Sequence, residues 1–214
     1  MSTHKQFLVT ISMYHNIYMA DYAYIENEER EGVVVTSRFP GIPLLKMNLK
    51  KDDDFEVVVL WTKKEIPDKD GNILKPSEVN KALFYEELAA LSSETGIDFT
   101  GKIREVEIPY DEGKSKQMAF FKQICETYTA ESDLYVDLTY GSKMTIMNLF
   151  ASIVYAEKVS NCYIKELSYG AVNFADKSGK IYDVRPLYEI NTLIQNVSNI
   201  PNVNVNHVFN LFGV

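Results

Sequence analysis

The chain reads as an α/β protein in which a mostly parallel sheet is covered by helices on both faces. Three observations lead there. The apolar runs QFLVTISM (residues 6–13), FEVVVLW (55–61) and LYVDL (134–138) are nearly unbroken, as in strands buried on both faces. Segments of helical periodicity alternate with them, which implies right-handed β-α-β units. The third run leads through a polar turn containing Gly141 and Ser142 directly into a helical pattern starting at Lys143.

Taken in order, residues 6–13 form a first strand ending in the polar turn Tyr14-His15-Asn16. Alternation at 21–25 and 33–36, around a charged run, predicts a hairpin. Pro40, Gly41 and Pro43 interrupt this pattern before a short helix over 44–49. After the strand at 55–61 comes a solvated loop, 67–76. Ser77 is placed to cap a helix over 78–92 with Val79, Ala82, Leu83, Leu88 and Leu91 inward. Residues 102–108 form the third strand. Met118, Phe121, Ile124, Cys125 and Tyr128 mark the apolar face of the next helix. Beyond the central strand and its helix, 161–168 reads as a fifth strand. A hairpin of 169–174 with 180–184 follows, turning at Lys177-Ser178-Gly179. Pro186 opens a last helix to Val197, with Leu187, Ile190, Leu193, Ile194 and Val197 on one side. Residues 1–198 are expected to form the domain, and 199–214 an Asn-rich tail that contacts a partner or begins a further segment.

The composition, 46% hydrophobic and 24% charged over 214 residues, is that of an ordinary globular protein. No apolar run is long enough to span a bilayer, and the first residues do not resemble a secretory leader, so a cytoplasmic location is expected. Cys125 and Cys162 fit two reduced thiols better than a disulfide. The net charge of −8 disfavours a broad contact with long nucleic acid and leaves room for one small anionic ligand.

The turn after the central strand is the candidate site. Free N–H groups and the positive end of a helix dipole suit an anion. Lys143 adds a cation, and Thr139, Tyr140 and Ser142 add hydroxyls. A Gly-Ser turn also serves simply to cap a helix, and that reading stands beside the first. In open parallel sheets ligands bind beyond the carboxyl ends of the strands, which brings in three loops: 12–16, 62–64 with Thr62, and 139–143. His15 is a ligand contact, a general base or a solvated loop residue. The chain carries no Gly-x-Gly-x-x-Gly, no P-loop and no nucleophile elbow, and its histidines and cysteines are too dispersed for a zinc site.

DLTYGSK after a buried strand resembles the Asp-x-Thr-His-Gly-x-Arg signature of the CRISPR-associated Rossmann-fold (CARF) proteins. FLVTISMYHNIYMADYAYI is similar to that family's opening strand and polar turn, and VVVLWTKKEIP to its second strand. ELSYGAVNF with IYDVRPLYEI is similar to its late hairpin and helix entry. The resemblance spans roughly residues 6–197. It implies a Rossmann-like sheet with β-hairpin additions, assembled as a homodimer that senses cyclic tetra- or hexa-adenylate for type III CRISPR defence. The ligand-binding positions it implies are Ser12, Met13, Tyr14, His15 and Asn16, with Thr139, Tyr140, Gly141, Ser142 and Lys143. Tyr140 stands where the family has His, offering a hydroxyl and a stacking face but no base near neutral pH. Lys143 stands near its Arg, keeping the charge without the planar fork. Family members commonly continue into an effector, and none is recognisable here. The expected function is therefore a sensor domain needing no cofactor or metal. The alternative is a stand-alone ring nuclease that uses the ligand's own 2′-OH, with His15 and Lys143 as the catalytic candidates.

Overall fold

Residue-by-residue alternation along the buried strands divides the interior into two layers. In β1 (Lys5–Thr10), Phe7 and Val9 point to one face and Leu8 to the other. In β4 (Phe55–Thr62), Val57 and Val59 oppose Val58 and Leu60 in the same way. The computed structural model describes residues 3–14, 17–111, 113–173 and 175–197. His15, Asn16, Phe174, the tail 199–214 and the side chain of Val197 lie outside them.

The other strands are β2 (Ala20–Tyr24), β3 (Val34–Ser37), β5 (Ile66–Pro67), β6 (Ile73–Leu74), β7 (Ile103–Ile108), β8 (Asp133–Asp137), β9 (Tyr163–Asn173) and β10 (Ser178–Asp183). The helices are α1 (Gly41–Asn48), α2 (Pro76–Thr95), α3 (Lys114–Cys125), α4 (Lys143–Lys158) and α5 (Arg185–Val197). Among the described residues, eight strands form one sheet in the order β3-β2-β10-β9-β8-β1-β4-β7, parallel from β9 through β7. Helices α1 and α2 cover one face through Leu44, Leu45, Phe84, Leu88 and Leu91. Helices α3, α4 and α5 cover the other through Phe120, Ile124, Leu149, Ile153 and Tyr188. The expected α/β class, with a large mostly parallel sheet between helices, is the one found. Among the described residues, no helix is long and apolar enough to cross a membrane.

Several local expectations need correcting. Helix α1 starts at Gly41, because Pro43 falls in its first turn, where a missing N–H costs nothing. Lys75, not Ser77, is the N-cap of α2, and Ser77 is buried inside the first turn. Val79 and Ala82 face outward on that helix, while Asn80 and Phe84 are buried. The segment expected as a loop, 67–76, takes part in the small antiparallel pair β5–β6, which begins at Ile66. On α3, Met118 is exposed and Phe120 lies inward. The fifth strand and the first hairpin arm are a single strand, β9, and Ser178 and Gly179 already belong to β10. On α5 the inward residue is Tyr188, whose hydroxyl donates to Glu157 Oε2 at 2.7 Å and whose ring meets Phe150 edge-on. That contact turns Leu187 outward, leaving it 63% exposed, and Ile194 is exposed as well.

Candidate functional site

Strand β1 has β4 and then β7 on one side, and β8 and then β9 on the other. The loops leaving β1 and β8 therefore diverge where the strand order reverses, a crevice suited to ligands. Residues 12–14, Thr62 and the 139–143 turn all lie at this carboxyl edge. Strand β9 runs on past Ser168, which pairs with Asp137, and its extension with β10 forms a wall beside the turn.

A buried polar network fixes the turn. Asp137, fully buried, accepts from Thr10 Oγ1 through Oδ2 (3.2 Å) and from Thr139 N and Oγ1 through Oδ1 (3.1 and 2.5 Å). The two threonine hydroxyls accept in turn, Thr10 Oγ1 from Tyr140 N (2.9 Å) and Thr139 Oγ1 from Gly170 N (2.8 Å). Each hydroxyl proton is thereby directed at the carboxylate, and β1, β8, β9 and the turn are tied together. Burial pushes the Asp137 carboxyl up to about 6, against the lowering effect of the Thr139 and Thr10 hydrogen bonds.

Gly141 sits at φ +127°, where a Cβ would come within 2.9 Å of Thr145 Cγ2. Ser142 Oγ accepts from Thr145 N at 3.1 Å, the N-cap expected from the sequence. Lys143 is the first helical residue, exposed and without an ion pair among the described residues. On the first loop, Ser12 Oγ accepts from Tyr14 N (3.2 Å). Asn80 reaches over from α2 and donates to Ser12 O (2.9 Å) and Tyr14 O (2.8 Å).

Among the described residues, three cavities border the turn. One of 330 Å³ lies between Met13, Tyr14, Thr62, Tyr110, Ser142 and Thr145. Another, of 380 Å³, is bounded by Ser12, Tyr14, Thr139, Tyr140, Tyr169 and Gly170. The third, of 400 Å³, is largely apolar, with Thr139 and Lys143 beside Ile146, Phe150, Tyr169 and Leu187. Every sequence-predicted site residue within the described residues lines one of them. Ser12, Met13 and Thr62 are buried floor residues, and Tyr14 and Lys143 stand at the mouths.

Tyr140 is anchored by residues outside the turn. Its hydroxyl donates to Arg38 O at 3.0 Å and its ring meets Phe39 edge-on, beside the core under α1. Burial holds that hydroxyl far above its ordinary pKa. Anchored this way, the half-buried ring is a fixed part of the wall of the 380 Å³ cavity. Sequence reasoning named Lys64 only as the end of the 62–64 loop, and it missed Asn80, Tyr110 and Tyr169. Asn80 had a signal, a lone amide one position from the expected inward face of α2. The others had none beyond lying near strand ends.

No family model matches the chain, and no curated protein does. Among solved structures it is similar to phosphofructokinase-2 from Escherichia coli in three forms. A point mutant is 10% identical at a TM-score of 0.35, with 78% of this chain and 53% of that chain covered. The tetrameric inhibited form is 13% identical at 0.36, with 75% and 53% covered. The potassium complex is 10% identical at 0.35, with 78% and 52% covered. The chain thus spans about half the length of these structures, and at such TM-scores the likeness carries no conclusion about fold or function.

Proposed function

We propose that the chain is a CARF-like sensor domain that binds a cyclic oligoadenylate, tetra- or hexa-adenylate, at the carboxyl edge of its sheet. One observation carries this reading: three small-molecule-sized cavities border the 139–143 turn, two of them reaching its capped helix terminus, and the lysine there has no partner carboxylate among the described residues. The order of motifs along residues 6–197 supports it. Two copies of the chain place two such turns around one ring. The apolar strip of Ile146, Phe150, Val184 and Leu187 beside Lys143, with Met147 63% exposed further along α4, offers the surface for that pairing. Sedimentation of the pure protein is expected to give a dimer; monomer alone, with and without ligand, overturns the dimer.

Thermal unfolding with cyclic tetra-, cyclic hexa- and linear oligoadenylates tests the reading directly. A ring at ~100 times its dissociation constant adds about 2.7 kcal/mol of stability. Absence of any shift with both rings refutes the proposal. Lys143→Ala is expected to weaken binding about tenfold while leaving the free protein's stability within about 0.5 kcal/mol of the parent, because a cation at a helix N-terminus does not help the helix itself. Unchanged affinity in that variant would remove Lys143 from the site.

The ring is expected to be released intact. In-line attack by a ribose 2′-OH needs a strained sugar and a neutralised leaving oxygen. Among the described residues, the groups around the turn include hydroxyls, backbone N–H groups and the Lys143 ammonium, and these suit holding a phosphate. Chromatography after incubation with either ring should recover it unchanged. Rapid multiple-turnover conversion to linear products, abolished by changing His15 or Lys143, would establish the ring nuclease instead.

A further inference from the structure

We infer that the cleft between the loops after β1 and β7 is a nucleobase subsite, in which Tyr14 and Tyr110 clamp one planar base at the place now held by the Lys64 ammonium. This rests on the nucleotide reading of the neighbouring turn and adds where, and on what, a base is held.

Two large rings stand exposed at the mouth of the 330 Å³ cavity, Tyr14 at 55% and Tyr110 at 58%. They come from strand ends nearly a hundred residues apart, with β4 between β1 and β7. Lys64 Nζ lies 4.7 Å from the Tyr14 ring centroid and 5.1 Å from that of Tyr110, so one ammonium contacts both rings. These distances put the centroids no more than about 10 Å apart, and aromatic rings pair at about 4.5–7 Å between centroids. The place of the ammonium is thus within aromatic contact range of both rings, the position a planar base would take between them.

The rest of the cleft supplies what a nucleotide needs beside its base. Met13 and Thr62 close the floor, and Ser142 and Thr145 form the wall shared with the start of α4. A base in the clamp leaves its phosphate beside that helix terminus and Lys143. The flexible four-carbon stem of Lys64 lets its ammonium leave the rings and follow the phosphate. Tyr140, the aromatic residue of the turn itself, is tied to Arg38 and Phe39 and borders the 380 Å³ cavity rather than this cleft. The clamp makes no base-specific hydrogen bond; it selects planar rings, purines before pyrimidines by their larger stacking area.

The test titrates the full chain, by NMR, with 5′-AMP, ribose 5-phosphate, cyclic tetra-adenylate and cyclic hexa-adenylate. Tyr110→Ala and Tyr110→Phe are titrated alongside the parent; position 110 is exposed, so both variants should fold. The parent is expected to bind AMP about tenfold or more tightly than ribose 5-phosphate, with Tyr110→Ala losing that preference and Tyr110→Phe keeping it. Equal binding of AMP by Tyr110→Ala and the parent overturns the clamp. If a ring binds and Tyr110→Ala does not weaken it, the clamp falls and the sensor reading stands. If AMP binds through Tyr110 and neither ring binds, the clamp stands and the sensor reading falls. If no nucleotide binds the parent, both fall.

Discussion

Asp137→Ala is expected to cost about 3 kcal/mol of folding stability, read as a lower urea midpoint with an unchanged slope. The carboxylate is the acceptor for three donors, the Thr10 hydroxyl and the Thr139 hydroxyl and N–H, all at its own buried position. Both hydroxyls are already accepting from backbone N–H groups, so their protons have no other direction to turn. Each donor left unpaired costs about 1–3 kcal/mol. Removing a buried charge returns part of that, since burial alone disfavours the ionised form. The donors outnumber the one charge, and destabilisation wins. Ligand affinity, compared at temperatures where the variant is folded, should fall less than for Lys143→Ala. A variant as stable as the parent would show that the network does not hold the turn.

The same residue sets a pH dependence. Its carboxyl titrates at about 6 in the folded protein against an ordinary value of 3.8. Between those pH values the folded chain keeps a proton that the unfolded chain has released. Stability from this group is therefore fully present below pH 4, falls as pH rises through 6 and is flat above it. The span amounts to about 3 kcal/mol at 1.36 kcal/mol per unit. Asp137→Asn keeps the shape and removes the titration, so the stability difference between parent and variant should change by that amount from pH 4 to 7. A difference independent of pH would mean that the carboxyl titrates normally.

What the sequence made legible follows physical lines. Strands β1, β4 and β8 are buried on both faces, so their apolar runs announce them without any partner. Ser142 announces the start of α4, because capping is local chemistry among residues three apart. Tyr140 was not readable. Its direction is decided by Arg38 and Phe39, about a hundred residues away, and nothing in DLTYGSK records them. The face of α2 was misread for a related reason: Asn80 lies inward because two carbonyls of the first loop accept its amide. The wall beside the site depends on β10 pairing with both β9 and β2, a long-range arrangement that alternation within each segment cannot specify.

Gly170→Ala is expected to destabilise the fold by about 3 kcal/mol and to weaken ligand binding, because this glycine lies where α1 and the 139–143 turn both press on β9. A Cβ at position 170 would overlap Pro40 Cγ and come 2.7 Å from Pro40 Cβ and 3.2 Å from Thr139 Oγ1. Contacts that short cannot be absorbed by a rotamer change, since Pro40 is a ring that opens α1 and neither side can swing away. Overpacking of this kind costs about 1–3 kcal/mol and occasionally more. The strand must instead move, and Gly170 N would then leave Thr139 Oγ1, slackening the network that holds the turn. Pro40→Gly removes both offending carbons, so the double variant Pro40→Gly with Gly170→Ala should be more stable than the two separate losses added together, by about 1 kcal/mol or more. Strict additivity would place the cost of Gly170→Ala somewhere other than the contact with Pro40. If Gly170→Ala unfolds at the parent's urea concentration, the close approach of β9 to α1 and the turn is not what limits this position.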